Sequence, residues 1–247
     1  MIDKYNVTLE TPAGAFTAYL AKPADVQPTA RAAVLLLPEI YNLNAWIREV
    51  ADRYAERGYI ALVPDLFWRH EAGVDLPYTP EGQQRGRALG AALDRSSSVE
   101  DTLAAANWLR EHAQSPTVAA IGFCLGGELA LLAGAAVGTE GRRGLDAAVA
   151  YYPTRMETHL DAVERLAIPS LIHLGEKDWR TPPELVRSLE QRLPAGLDHE
   201  LHVYADADHG FGRFGHPPFH APSAALAESR TQGSVSYTHL TLPTTPY

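Results

Sequence analysis

Hydrophobic and polar positions alternate from Tyr5 to Leu9 and again from Gly14 to Ala21, with the turn cluster Thr11-Pro12-Ala13-Gly14 between the two runs. That period of two predicts an antiparallel hairpin at the edge of a sheet. From Ala32 the pattern changes. Short, largely apolar strand-like runs, Ala33 to Leu37, Tyr59 to Val63, Val118 to Phe123 and Ser170 to Gly175, with Leu201 to Tyr204 after them, now alternate with helical stretches. Ala45 to Arg57 is one such helix, closed by Gly58. Ser98-Val99-Glu100-Asp101 resembles a capping box ahead of a helix to Glu111, Gly126 to Ala136 is an Ala/Leu-rich helix, and Thr181-Pro182-Pro183-Glu184 opens another. Continuous apolar strands with intervening helices imply an α/β fold: a mostly parallel sheet, helices on both faces, and ligands at the carboxyl ends of the strands.

Phe67 to Ser97, rich in Gly, Pro and charge, reads as irregular and suits a cap or pocket wall. The last helix is predicted over Ala221 to Thr231. Residues 1–232 then form a single domain, and Gly233 to Tyr247, with its Thr/Ser/Pro composition, reads as an unstructured, non-native tail.

Composition narrows the class. A chain of 247 residues with 46% apolar content can build one full core. A net charge of −9 disfavours nucleic acid or an anionic membrane as partner. One cysteine excludes an intrachain disulfide, the start Met1-Ile2-Asp3-Lys4 lacks the apolar run of a signal peptide, and no segment approaches the ~20 apolar residues of a membrane span. The expectation is a cytoplasmic protein, a monomer or small homo-oligomer, with its thiol reduced.

That cysteine sits in Gly122-Phe123-Cys124-Leu125-Gly126-Gly127, between a predicted strand and a predicted helix. This is the geometry of a nucleophile elbow, usually written G-x-S-x-G, in which glycines relieve a sharp turn and the nucleophile projects above the sheet. The N-terminus of the following helix favours an anion, and hence a thiolate. Catalysis also needs an acid and a base, expected in the chain order nucleophile, acid, base. Strand Ser170 to Gly175 runs into Asp178, and strand Leu201 to Tyr204 runs into His209. Asp206 and Asp208 compete for the acid role, but on the histidine's own loop they would have to fold back to reach its ring. A metal site built from His202, His209, His216 and His220 lacks helical spacing and is interrupted by Pro217-Pro218. The N–H of Leu125 is the first candidate oxyanion donor, and the loop after Ala33 to Leu37, most simply Ile40, offers the second.

The elbow, the Gly175 to Asp178 block, His209-Gly210-Phe211 with Arg213 beyond it, and the segment Pro38-Glu39-Ile40-Tyr41-Asn42-Leu43-Asn44 together resemble the dienelactone hydrolases of the α/β-hydrolase superfamily, from about Tyr5 to Thr231. The resemblance implies that Glu39 lies beside Cys124, bonded to Arg213 in the empty site and released toward the thiol when substrate takes that arginine. It also implies a carboxylate-bearing enol lactone as substrate, opened through a thioester, in aromatic compound degradation, with no cofactor. Arg213 offers a bidentate fork for a carboxylate. A second arginine is implied after Pro64-Asp65-Leu66; Arg85 and Arg87 both qualify, and Arg85 joins Arg213 and Tyr41 as the substrate-binding set. Tyr41 and Trp46 suit an apolar wall, and core packing explains them equally well. A broader carboxylesterase, or a non-catalytic ligand-binding or redox-sensing member, is the alternative.

Overall fold

A computed structural model describes residues 1–24, 32–137 and 144–240. The strands are β1 (Ile2–Thr11), β2 (Gly14–Pro23), β3 (Ala33–Leu37), β4 (Ile60–Pro64), β5 (Val118–Phe123), β6 (Ala147–Tyr151), β7 (Ser170–Gly175) and β8 (His199–Tyr204). Around them lie α1 (Ala45–Glu56), α2 (Pro80–Ala92), α3 (Arg95–His112), α4 (Leu125–Ala136), α5 (Leu160–Val163), α6 (Pro183–Arg192) and α7 (Ala221–Leu240). They form one sheet in the order β1-β2-β4-β3-β5-β6-β7-β8. The first hairpin and the β2/β4 pair are antiparallel; every pairing from β4 through β8 is parallel.

The apolar runs without alternation are explained by burial on both faces. In β3, Leu35 and Leu37 join the cluster that holds Leu109 and Leu129, while Val34 and Leu36 join the opposite one with Trp46 and Phe123. The central strand β5 divides likewise, Val118 and Ala120 to one side, Ala119 and Ile121 to the other. Parallel strands all end on one edge, so β3, β5, β6, β7 and β8 deliver their following loops to a common rim.

Strand β6 and helix α5 match no element expected from the sequence, and three helices differ from expectation. The irregular segment Phe67 to Ser97 contains α2, capped by the Thr79 side chain on the N–H of Gly82 (3.1 Å), with Pro80 in its first turn. Gly82, Gly86 and Gly90 form its buried face; a Cβ on Gly86 would stand 2.3 Å from the Ile40 carbonyl oxygen. Low intrinsic helix propensity hid a helix whose glycines permit backbone contact. Helix α3 begins at Arg95, where the Asp94 side chain accepts from the Ser97 N–H (2.7 Å), so Ser98 lies inside the helix rather than at its cap. Helix α7 does not stop at Gln232. It continues to Leu240 with Val235 buried, because a lone Gly233 costs only about 1 kcal/mol and no proline intervenes before Pro243. Residues 241–247 of the expected tail lie outside the described residues.

Candidate active site

The turn from β5 to α4 is tight enough to dictate its own sequence. Cys124 has φ 55° and ψ −113°, a conformation that costs a non-glycine residue about 1–3 kcal/mol and persists only when its surroundings enforce it. Those surroundings are close backbone contacts. A Cβ on Gly122 would lie 2.0 Å from the Gly126 carbonyl oxygen, and one on Gly126 2.0 Å from that of Leu37. The Cys124 N–H donates to the Tyr151 carbonyl (3.0 Å), tying the elbow to β6, and its own carbonyl accepts from the Glu128 N–H (3.1 Å) in the first turn of α4.

Asp178 and His209 arrive from the ends of β7 and β8. The loops are locked together by a hydrogen bond from the Lys177 N–H to the Ala207 carbonyl (2.8 Å), and Gly175 permits the approach, since its Cβ would stand 2.5 Å from that same oxygen. His209 Nδ1 meets Asp178 Oδ2 at 2.7 Å, and Asp178 Oδ1 also accepts from the Arg180 N–H (3.0 Å). Neither rival aspartate reaches the ring. Asp208 accepts from the His209 backbone N–H (2.6 Å), and Asp206 pairs with Lys177 (2.7 Å). Tyr152, fully buried, packs edge-on against the imidazole with centroids 5.1 Å apart.

Burial alone would push the His209 pKa down. The charge of a Cys124 thiolate, the hydrogen bonds with Asp178 and Cys124, and the Asp178 charge outweigh it and raise the value to about 9. For Asp178, burial favours the neutral acid, but the His209 hydrogen bond and charge prevail and hold its pKa below the usual range.

Glu39 and Arg213 form a second buried constellation, only 2% and 8% exposed. Arg213 donates from Nε to Glu39 Oε2 (3.0 Å) and from Nη2 to Oε1 (2.9 Å), and its Nη1 donates to the Pro217 carbonyl (3.1 Å). Burial works against the guanidinium charge, but Glu39 overrides it and keeps the Arg213 pKa above its ordinary value. The Tyr78 hydroxyl donates to Glu39 Oε2 (3.0 Å), and the guanidinium lies over the rings of Tyr78 (4.6 Å) and Tyr41 (5.4 Å). Tyr41 thus supports the arginine from within the core, and Trp46 packs edge-on against Phe123 at 5.1 Å.

Cys124 opens onto a cavity of about 500 Å³ walled by Ile40, Gly90, Leu125, Trp179 and Leu185. Both residues chosen as oxyanion donors therefore border it together with the sulfur. Of the two cap arginines, Arg87 lines this cavity. Arg85 does not: it turns outward to an exposed ion pair with Glu71. Sequence reasoning missed Tyr78 and Tyr152, neither of which stands in a catalytic motif, as well as further cavity arginines on other loops.

An eight-stranded, mostly parallel sheet with a strained turn at Cys124 after β5 and the Asp178–His209 pair beyond later strand ends has the α/β-hydrolase fold. A family model for the dienelactone hydrolase family matches residues 16–234, and the chain belongs to that family. It is a hydrolase. Carboxymethylenebutenolidase from Pseudomonas putida is 31% identical over 80% of this chain and 82% of its own length; that from Pseudomonas sp. strain P51 is 33% identical over 88% of each. Among solved structures, a Klebsiella pneumoniae chain assigned to the dienelactone hydrolases superposes with a TM-score of 0.82 at 24% identity, covering 96% of this chain and 99% of that one. The dienelactone hydrolase-like promiscuous phosphotriesterase P91, from metagenomic libraries, gives 0.74 at 21% identity, covering 96% and 98%.

Proposed function

We propose that this protein opens a small carboxylate-bearing enol lactone by covalent catalysis at Cys124. The observation that carries the reading is the line from a thiol on a strained elbow, through His209, to buried Asp178. The Cys124 sulfur attacks the lactone carbonyl, with the developing oxyanion received by the N–H groups of Leu125 and Ile40. The ring C–O bond breaks, and the enolate leaves with the proton that the base took from the thiol. Water then attacks the thioester, giving its proton to His209, and the acid product departs as the thiol is restored. An enolate is a good leaving group, which suits a sulfur nucleophile. Relatives named carboxymethylenebutenolidase support the substrate class.

Glu39 is the gate in this reading. In the empty site its oxygens are held by Arg213 and Tyr78, so it cannot take the thiol proton. A substrate carboxylate that recruits Arg213 would free Glu39 to activate Cys124 only when substrate is present, sparing the thiol from oxidation. A second reading is favoured by the bond between His209 and buried Asp178: the imidazole takes the thiol proton as base, and Glu39 serves to anchor Arg213. Alkylation of Cys124 with and without a carboxylate-bearing inhibitor separates them. A gate predicts acceleration by the inhibitor in the wild type and none in Glu39→Gln; equal rates in all four cases would leave His209 as sole base. Turnover of neutral aryl esters as fast as of a lactone acid would make the protein a broader carboxylesterase.

A further inference from the structure

The cavity beside Cys124 is lined by four arginines, Arg87, Arg95, Arg155 and Arg180, against one acidic side chain, Glu157. This is notable in a chain of net charge −9, whose overall field repels anions. The four cations are not equally committed. Arg95 is held from behind by Glu128, fully buried, at 2.6 Å. Arg180 lies 3.6 Å from Asp178 and over the exposed Trp179 ring. Arg155 comes no closer than 3.9 Å to Glu128, whose oxygens are already bonded to Arg95, Thr154 and His159. Among the described residues Arg87 has no ion-pair partner, and like Arg155 it is exposed to the cavity mouth.

These cations come from separate elements, Arg87 from α2, Arg95 from the start of α3, Arg155 from the loop after β6 and Arg180 from the loop after β7, and converge on one space. Arg155 is held there in the left-handed region, φ 56° and ψ 22°, with its carbonyl accepting from both the N–H (2.9 Å) and the hydroxyl (2.8 Å) of Thr158. Glu39 and Arg213 are not part of this wall. The sulfur therefore shares its cavity with a cationic wall that is separate from the Glu39–Arg213 pair.

We infer that the site takes dianionic substrates: one carboxylate engages Arg213, and a second anionic group on the acyl portion of the same molecule is received by Arg87 and Arg155, with Arg180 beside them. The inference rests on the lactone-opening reading and narrows its substrate class. Guanidinium groups at an open mouth suit a flexible second carboxylate, which charge-assisted hydrogen bonds hold more strongly than they hold a neutral substituent.

The test compares kcat/KM for a carboxymethylene butenolide with that for the same lactone bearing a second carboxylate on its ring. The wild type should prefer the diacid at least tenfold, chiefly through KM. Arg87→Gln with Arg155→Gln should cut that preference at least tenfold, and the corresponding double lysine variant should keep most of it. Because the result is a ratio of two substrates on one protein, partial misfolding does not mimic it. A wild-type ratio near one, or a ratio unchanged in the glutamine variant, overturns the second subsite while leaving lactone opening intact. Turnover of neither lactone by the wild type sinks the lactone reading, and this inference with it.

Discussion

Cys124, Asp178 and His209 could be read from the sequence because each sits where a strand ends, and turn chemistry there is local: glycines two residues either side of the cysteine are forced by contacts of about 2 Å. Replacing Cys124 by Ala should lower turnover by on the order of 10⁶-fold, and Cys124→Ser should leave a weak esterase; an undiminished alanine variant would exclude the cysteine from the chemistry. The same substitution has an electrostatic signature. Removing the sulfur deletes a partner that raises the His209 pKa to about 9, so an NMR titration of Cys124→Ala should place the imidazole lower than in the wild type. Since the folded pKa lies above the unfolded one, protonated His209 contributes stability in full below about pH 6.5, and that contribution is lost as pH rises through about 9. An unmoved titration in Cys124→Ala would mean that the two side chains are not coupled. Tyr78 and the cavity arginines Arg155 and Arg180 were not readable, because loops without local pattern bring them to the site. For Arg85 and Arg87, adjacent spacing could not say which face of α2 each would take.

At the level of elements, strands were easier to read than helices. Apolar runs announced β3, β5 and β7, but β6, just as apolar and buried, went unread because its alanines carry little strand preference. Helix α2 was concealed by the glycines that seat it on the Ile40 backbone. Gly86→Ala should therefore cost about 1–3 kcal/mol from overpacking, a fall of roughly 2–12 °C in Tm for a domain of this size. It should also reduce kcat, because Ile40 carries a proposed oxyanion donor. An alanine variant with unchanged Tm would show that α2 does not bear on that loop. Helix α7 was read too short for the converse reason: polar residues after Thr231 disguise a turn that still buries Val235. Truncation after Gln232 should lower stability by about 1.5–3 kcal/mol, the worth of one buried valine, and an unchanged Tm would show that this last part of α7 contributes no packing.

Across the whole molecule, charge is segregated: an acidic chain places four arginines around the cavity that meets its thiol. Composition gave the net charge, but only the fold gathers cations from α2, α3 and the loops after β6 and β7 into one space. Attraction across such a mouth is screened over about 8 Å at physiological ionic strength, so kcat/KM for an acidic lactone should fall as salt rises while that for a neutral ester stays level. Parallel salt profiles for both substrates would show that the arginines do not steer substrate.

The most direct test of the central claim is mass spectrometry of the protein quenched during turnover of an activated ester or lactone acid, followed by peptide mapping. Covalent catalysis at Cys124 predicts an acyl adduct of the substrate's mass on the peptide carrying Gly122 to Gly127, absent from Cys124→Ala and released by hydroxylamine as a thioester is. An adduct on any other residue, or continued turnover in Cys124→Ala with no adduct, would contradict it.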